Sequence, residues 1–320
     1  MSASDTHQEI AMRETFGESL VDLASEFPRM VVLDADVSSS TKTIYFAREH
    51  PERFYNIGVA EANLVDVAAG FSTCGFVPVV STFALFLATK STDQLRNVVC
   101  YNGLSMVVAG GYAGLSDSYD GASHQSVSDL AIMRALPGMR VYVPGDPAAV
   151  PGVVKAALSC GGPAFVRLSR NPTPVISTRQ EWLQPGAIDR VRILRSGSDC
   201  TIVACGVPVY IALEAAESAA ARGIDLEVVQ VTSLKPLDAT GLVESARKTG
   251  RVVTVEEHSV IGGLGGAVSE VLAEECPVPI RRVGVKDTYT ESGPYPDLLE
   301  KYGISAGAIL AEVDRLLQRE

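Results

Sequence analysis

The chain has 320 residues, 47% of them hydrophobic and 20% charged, with a formal net charge of -11; that is long enough for two domains with cores of their own and too apolar for an extended disordered tail. The acids are scattered and no basic cluster accompanies them, which excludes a nucleic-acid-binding face. There is no run of about eighteen apolar residues that could cross a membrane, and the N-terminus MSASDTHQEI lacks the basic-then-apolar pattern of a leader, so a cytoplasmic protein is expected.

In chain order, a helical pattern in RETFGESLVDLASEF precedes a β-branched run in MVVLDAD. EANLVDVAAGFSTCG again reads as a helix, SMVVAGG and MRVYVPGD as strands, DPAAVPGVVKAALSC as a helix and AFVRLS as a strand. RNPTPVISTRQEWLQPGAIDRVRILRSGSD then breaks the alternation with proline, charge and the single tryptophan, Trp182. Beyond it, DCTIVACG, DLEVVQV and RVVTVEE read as strands, with helices in VYIALEAAESAAARG and AVSEVLAEE. Strands alternating with helices predict an α/β protein of two domains, residues 1–180 and 190–320, each a mostly parallel sheet flanked by helices. In such sheets ligands sit beyond the carboxyl ends of the strands. The six cysteines (Cys74, Cys100, Cys160, Cys200, Cys205, Cys276) form no C-x-x-C pair and read as reduced core residues, with no metal site expected from them.

Three segments of the first domain carry candidate chemistry. YNIGVAEANLVDVAAGF puts Glu61 at the start of an apolar helix. A carboxylate there ordinarily serves only the helix dipole, whereas acid-base work on a heterocycle needs it desolvated. In STFALFLATKSTDQLRN, Phe83 and Phe86 fall one turn apart, which by itself is usually a core pair and could also offer a flat wall to an aromatic ring. SDSYDGASHQS is a polar loop with Asp120 and His124 four residues apart, either a solvated surface or a pair for proton transfer near neutral pH. GGLGG, near residue 263, lacks the spacing and context of a dinucleotide loop and reads as a tight turn opening a helix.

Together, VAEANLVDVAAG, STFALF, DGASHQ, ALPGMRVYVPGD and FVRLSRN, in that order, resemble the pyrimidine-binding domain of transketolases. The likeness runs from Arg13 through VEEHSVIGGLGGAVSEVL, nearly the whole chain. It is nearest to the C-terminal subunit of split transketolases, in which the two halves of the enzyme are separate polypeptides. Related readings are 1-deoxy-D-xylulose-5-phosphate synthase and the beta subunit of 2-oxo acid dehydrogenases, the latter passing its two-carbon unit to a lipoyl or carrier group. The resemblance implies thiamine diphosphate and Mg2+ as cofactors and ketol transfer from a phosphorylated ketose to an acceptor. It implies that Glu61 hydrogen-bonds the aminopyrimidine ring, that Phe86 stacks on that ring with Phe83 beside it, and that Asp36 approaches the cofactor. It gives Asp120 a substrate hydroxyl, His124 a proton-transfer or carbonyl-polarising role, and Arg13, Ser40 and Arg170 the substrate phosphate. A non-catalytic paralogue is the rival reading, and the joint presence of Glu61, Phe86, Asp120 and His124 argues against it.

Two departures stand out. Where split transketolases commonly read THAGI-x-x-GEDG, this chain reads GYAGLSDSYDG. Tyr112 therefore replaces a phosphate-binding histidine and Tyr119 an acid, which puts the usual sugar phosphate in doubt. The family's Mg2+ motif, GDG followed 25 to 30 residues later by Asn, does not occur. The metal and diphosphate ligands are thus expected from an N-terminal partner subunit, with self-association of this chain through its C-terminal half in a heterotetramer or a homodimeric core.

Overall fold

A computed structural model describes residues 8–318. The first seven residues, part of the N-terminus read above as leaderless, lie outside them. Among the described residues two larger sheets form. The first has the strand order Ser233–Lys235, Arg140–Tyr142, Pro163–Arg167, Met106–Gly111, Val77–Phe83, Met30–Asp34, Phe54–Asn56. All neighbours in it are parallel except Ser233–Lys235, which runs antiparallel to Arg140–Tyr142. The second has the order Ile280–Val285, Val252–Ser259, Cys200–Ala204, Leu226–Gln230, Arg192–Arg195, parallel except for its last strand.

The central strands are buried at every position because helices cover both faces. In the strand Met30–Asp34, Met30 and Val32 join Phe16, Leu20 and Val153 on one face, while Val31 and Leu33 join Leu64, Val65 and Leu87 on the other. This period of two is what a pleated strand imposes on a continuous apolar run.

Three expectations need correction. Phe83 and Phe86 do not share a helix: Phe83 ends the strand Val77–Phe83, and the helix Ala84–Lys90 starts after it. Pro78 near the start of that strand hid its pattern, since proline argues against a central strand. The strand Ile280–Val285 was also missed, because Arg281 and Arg282 interrupt its apolar run; it lies at the edge of its sheet, where charge is tolerated. All six cysteines are free; Cys200 and Cys205 are buried in the core and Cys100, Cys160 and Cys276 pack half-buried against it, but Cys74, at the end of the helix Glu61–Thr73, is exposed. The GGLGG segment does form a turn, with Gly262 at φ 79°, that opens the helix Leu264–Glu275.

A buried polar joint ties the two sheets. Arg167, at the end of its strand, donates to the Asp129 carboxylate at 2.7 and 3.3 Å, to the Ser126 carbonyl at 3.0 Å and to the Glu257 carbonyl at 2.9 Å. The Glu257 side chain accepts from the Leu115 amide at 2.6 Å and from the Tyr295 hydroxyl at 2.9 Å. Gly114 sits at φ 66°, and a Cβ there would stand 2.5 Å from the Glu257 carboxyl, so only glycine lets the carboxylate approach this backbone.

Burial pushes Glu257 up to about 7 despite the Arg167 charge. Its folded pKa exceeds the unfolded one, so the folded chain holds the extra proton between the ordinary carboxyl range and about 7. The stability this brings is present at acid pH and is lost as pH rises through 7, by up to roughly 1.4 kcal/mol per pH unit. Urea unfolding of the wild type and Glu257→Gln at pH 5.5 and 7.5 should show a smaller pH dependence in the variant; identical slopes would contradict it.

Candidate functional site

Asp34, buried at the end of its strand, organises the first corner of the site. It accepts from the Val37 amide at 2.6 Å, Thr43 Oγ1 at 2.8 Å and Thr41 Oγ1 at 3.0 Å, fixing the turn that presents Asp36 and Ser40. Asp36 lies in the left-handed region at φ 66°, exposed, and its carboxylate accepts from Asn56 Nδ2 at 2.7 Å. Asn56 Oδ1 in turn accepts from the Gly58 amide at 3.0 Å, at the turn that leads into Glu61.

Glu61 is the first residue of its helix and only 5% exposed. The helix start supplies free N–H groups and a positive dipole end to a carboxylate that burial alone would disfavour. Its surroundings are not purely apolar: Lys90 Nζ lies 3.4 Å from Glu61 Oε1 and, at the same time, 3.9 Å from the centre of the Phe86 ring. Lys90 is placed there by its position one turn beyond Phe86 on the helix Ala84–Lys90.

From Phe86 the contacts continue without a break. His124 meets Phe86 edge-on with ring centres 5.1 Å apart, and Phe83 at 6.1 Å. Phe83 stacks on Tyr112 at 4.4 Å with the planes 22° apart. The Arg13 and Arg170 guanidiniums lie 5.4 and 4.9 Å from the centre of the Tyr112 ring. Arg13 donates to the Tyr112 hydroxyl at 2.6 Å and to the Ser40 carbonyl at 3.2 Å. Arg170 donates to Asp117 Oδ1 at 2.9 Å, and its amide to Ser116 Oγ at 3.1 Å.

Tyr112 holds an unusual backbone, φ 59°, immediately after the strand Met106–Gly111. A bulky side chain in that region is costly. The following residues over-determine it, the Ala113 amide donating to the Leu168 carbonyl at 3.0 Å and the Gly114 amide to the Ser126 carbonyl at 2.9 Å.

The structure thus joins Glu61, Phe86, His124, Phe83, Tyr112, Arg13, Ser40 and Arg170 in one surface beyond the carboxyl ends of the parallel strands. Asp36 connects to it through Asn56. Asp120 is exposed and acts on the cluster electrostatically: burial first, and then the nearby Asp120 charge, push the Asp117 carboxyl up to about 7, with Arg170 opposing. His124 Nδ1 and Ser123 Oγ are 3.0 Å apart, so the serine settles one ring nitrogen and leaves Nε2 for other work. Lys90 and Asp117 escaped the sequence reading. Lys90 carried a signal in its four-residue spacing from Phe86, and Asp117 in being an acid within the loop that holds Asp120. Among the described residues no group of three or more His, Cys, Asp or Glu is placed to hold a metal ion, and no helix is long and apolar enough to cross a membrane.

Known proteins share this architecture. The family described as transketolase, pyrimidine binding domain, matches residues 8–175, and that described as transketolase, C-terminal domain, matches residues 189–309. The 6-deoxy-6-sulfo-D-fructose transketolase subunit of Clostridium sp. (strain MSTE9) is 39% identical over 309 residues, covering 97% of this chain and 95% of that protein. The 1-deoxy-D-xylulose-5-phosphate synthase 1 of Geobacter sulfurreducens (strain ATCC 51573 / DSM 12127 / PCA) is 38% identical over 304 residues, 94% of this chain but 47% of that longer protein. A solved structure described as a split gene transketolase, inactive beta4 tetramer, superposes with a TM-score of 0.89 at 49% identity, covering 97% of this chain and 99% of that one.

Tyr112→Phe removes the acceptor that Arg13 uses at 2.6 Å while keeping the ring that stacks on Phe83. It should cost about 1–2 kcal/mol of stability in urea unfolding. A variant as stable as the wild type would show that Arg13 finds an equal partner elsewhere.

Proposed function

The chain belongs to the transketolase family as a transketolase-like C-terminal subunit, and we propose that, with a separate N-terminal subunit, it transfers a two-carbon ketol unit from a ketose to an aldehyde acceptor. The observation that carries this reading is the unbroken surface from Glu61 through the two phenylalanines and His124 to the arginines around Tyr112.

The family implies thiamine diphosphate, and the residues present suit its pyrimidine ring. Lys90 already shows that a cationic group can sit against the Phe86 face and the buried Glu61 carboxylate together, which are the two surfaces a protonatable flat heterocycle needs. When bound, this cofactor supplies the electron sink for breaking and making a carbon–carbon bond beside a carbonyl. Glu61 would hydrogen-bond a ring nitrogen, in a setting where burial strengthens that bond. Phe86 and Phe83 would line the ring and keep water from one face. His124, with Nδ1 engaged by Ser123, offers Nε2 to a substrate oxygen, and Asp120 takes a substrate hydroxyl. Arg13, Ser40, Tyr112 and Arg170 form the pocket for the far end of the sugar, and Asp36 flanks the cofactor.

We assign the Mg2+ and diphosphate ligands to the N-terminal subunit. We divide the chain into a pyrimidine-binding unit, 1–180, and a C-terminal unit, 190–320, through which it self-associates within a heterotetramer. The 49% identical structure described as an inactive beta4 tetramer supports a dependence on the partner.

Co-purified with the N-terminal subunit and supplied with thiamine diphosphate and Mg2+, the chain should turn over a ketose donor and an aldehyde acceptor, and without that subunit it should turn over none. Activity of the chain alone would overturn the reading. In the assembled enzyme Glu61→Gln should keep the wild-type melting temperature yet lose at least about a hundredfold in kcat, as for removal of a positioned acid-base group; an unchanged kcat would remove Glu61 from the chemistry.

A further inference from the structure

Resting on the reading of this surface as a ketose site, we propose that Asp117 determines specificity by holding Arg170 away from phosphate dianions, so that the pocket between Arg13 and Arg170 takes a ketose whose far end is an uncharged hydroxyl.

Two guanidiniums facing one tyrosine ring would, by themselves, make a site for a doubly charged group, because arginine's planar fork suits phosphate oxygens. Here one of the two is already engaged. Asp117 is fully buried and bonds Arg170 at 2.9 Å, whereas Arg170 remains about one-third exposed at the pocket. The second Asp117 oxygen, also buried, has no hydrogen-bond partner among the described residues. Pulling Arg170 toward an incoming dianion would therefore leave a buried carboxylate facing only the Asp120 carboxyl, an arrangement proteins avoid. The Asp120 carboxylate stands close enough to raise the Asp117 pKa to about 7; at pH 8, above that value, the corner carries two guanidiniums and two carboxylates, and their formal charges cancel. Arg13 does little to restore the balance toward anions, since its Nη1 is shared between the Tyr112 hydroxyl and the Ser40 carbonyl and its Nε is buried. A neutral end group needs no counter-charge: it can bond the exposed edge of Arg170 or the Tyr112 hydroxyl with the ion pair intact, whereas a dianion there would face a guanidinium whose charge Asp117 already offsets. Asp117 acts through Arg170 and is a positioning residue in this scheme.

The test has two arms. In the first, calorimetry measures inorganic phosphate binding to the full chain at pH 8. The wild type should bind it no tighter than millimolar, Asp117→Asn at least about tenfold tighter, and the Asp117→Asn/Arg170→Ala double variant should lose that gain. In the second, the assembled enzyme is given xylulose and xylulose 5-phosphate. Asp117→Asn should lower KM for the phosphorylated donor at least about tenfold, with kcat and the KM for xylulose little changed, a split that a merely structural defect would not produce. Sub-millimolar phosphate binding by the wild type would overturn the proposal whether or not the variant folds, as would equal phosphate affinity or an unchanged donor preference in a folded Asp117→Asn. If the assembled wild type turns over neither sugar, ketol transfer fails as a reading, and the phosphate arm still decides what Asp117 does.

Discussion

The buried Glu257 carboxylate is the constraint on which the rest of this molecule depends. It belongs to the strand Val252–Ser259 of the second sheet, yet one of its oxygens is spent on the Leu115 amide in a loop of the first. Arg167 reaches back from the first sheet to the Glu257 carbonyl, so the two sheets hold each other through buried polar groups. A carboxylate so placed is costly unless its oxygens are satisfied. The amide, the Tyr295 hydroxyl and the Arg167 charge meet that need only when the loop 112–126 is in place. That loop carries Tyr112, Asp117, Asp120 and His124. The segment 291–293 clasps it from the same side, the Gly293 amide donating to the Ser118 carbonyl at 3.0 Å and Gln125 Nε2 to the Glu291 carbonyl at 3.0 Å. The C-terminal unit therefore shapes a site to which it lends no side chain named above.

The site is built by addition along the sheet. Successive parallel strands each deliver something just past their carboxyl ends: the turn with Asp36 and Ser40 after Met30–Asp34, Phe83 closing Val77–Phe83, Tyr112 after Met106–Gly111, and Arg170 after Pro163–Arg167. Because these strands pair in fixed register, the spacing of the side chains is inherited from hydrogen bonds deep in the sheet, Phe83 standing opposite Gly111 and Ser81 opposite Ala109. Precision at the surface is thereby obtained from rigidity underneath it.

Much of this was legible in the sequence. Alternating apolar runs and helical periods gave the α/β architecture because parallel strands buried on both faces leave a strong, continuous signal. The segments holding Glu61, Phe83, Phe86, Asp120 and His124 were recognisable as a set, and the structure brings most of that set into one surface. The losses have physical causes. Pro78 masked a central strand, the arginines of an edge strand masked another, and the helical spacing of Phe83 and Phe86 disguised a strand-to-helix junction that puts the two rings 5.8 Å apart by a different route. Lys90 and Asp117 were invisible as functional candidates because what distinguishes them is their partner: Glu61 lies 29 residues from Lys90 and Arg170 lies 53 residues from Asp117.

The antiparallel strand Ser233–Lys235 has a bearing on how such a chain can be divided by evolution or by the experimenter. It comes from the second half of the sequence but completes the first sheet, pairing with Arg140–Tyr142, and Lys235 Nζ donates to the Arg134 and Leu136 carbonyls at 2.8 and 2.6 Å. A gene cut in the proline-rich stretch near residue 180 would yield a fragment whose sheet ends in an uncovered edge with free N–H and C=O groups, a template for unwanted pairing between copies. A cut ahead of the pyrimidine-binding unit would leave that clasp whole, whereas a cut after it would open the sheet.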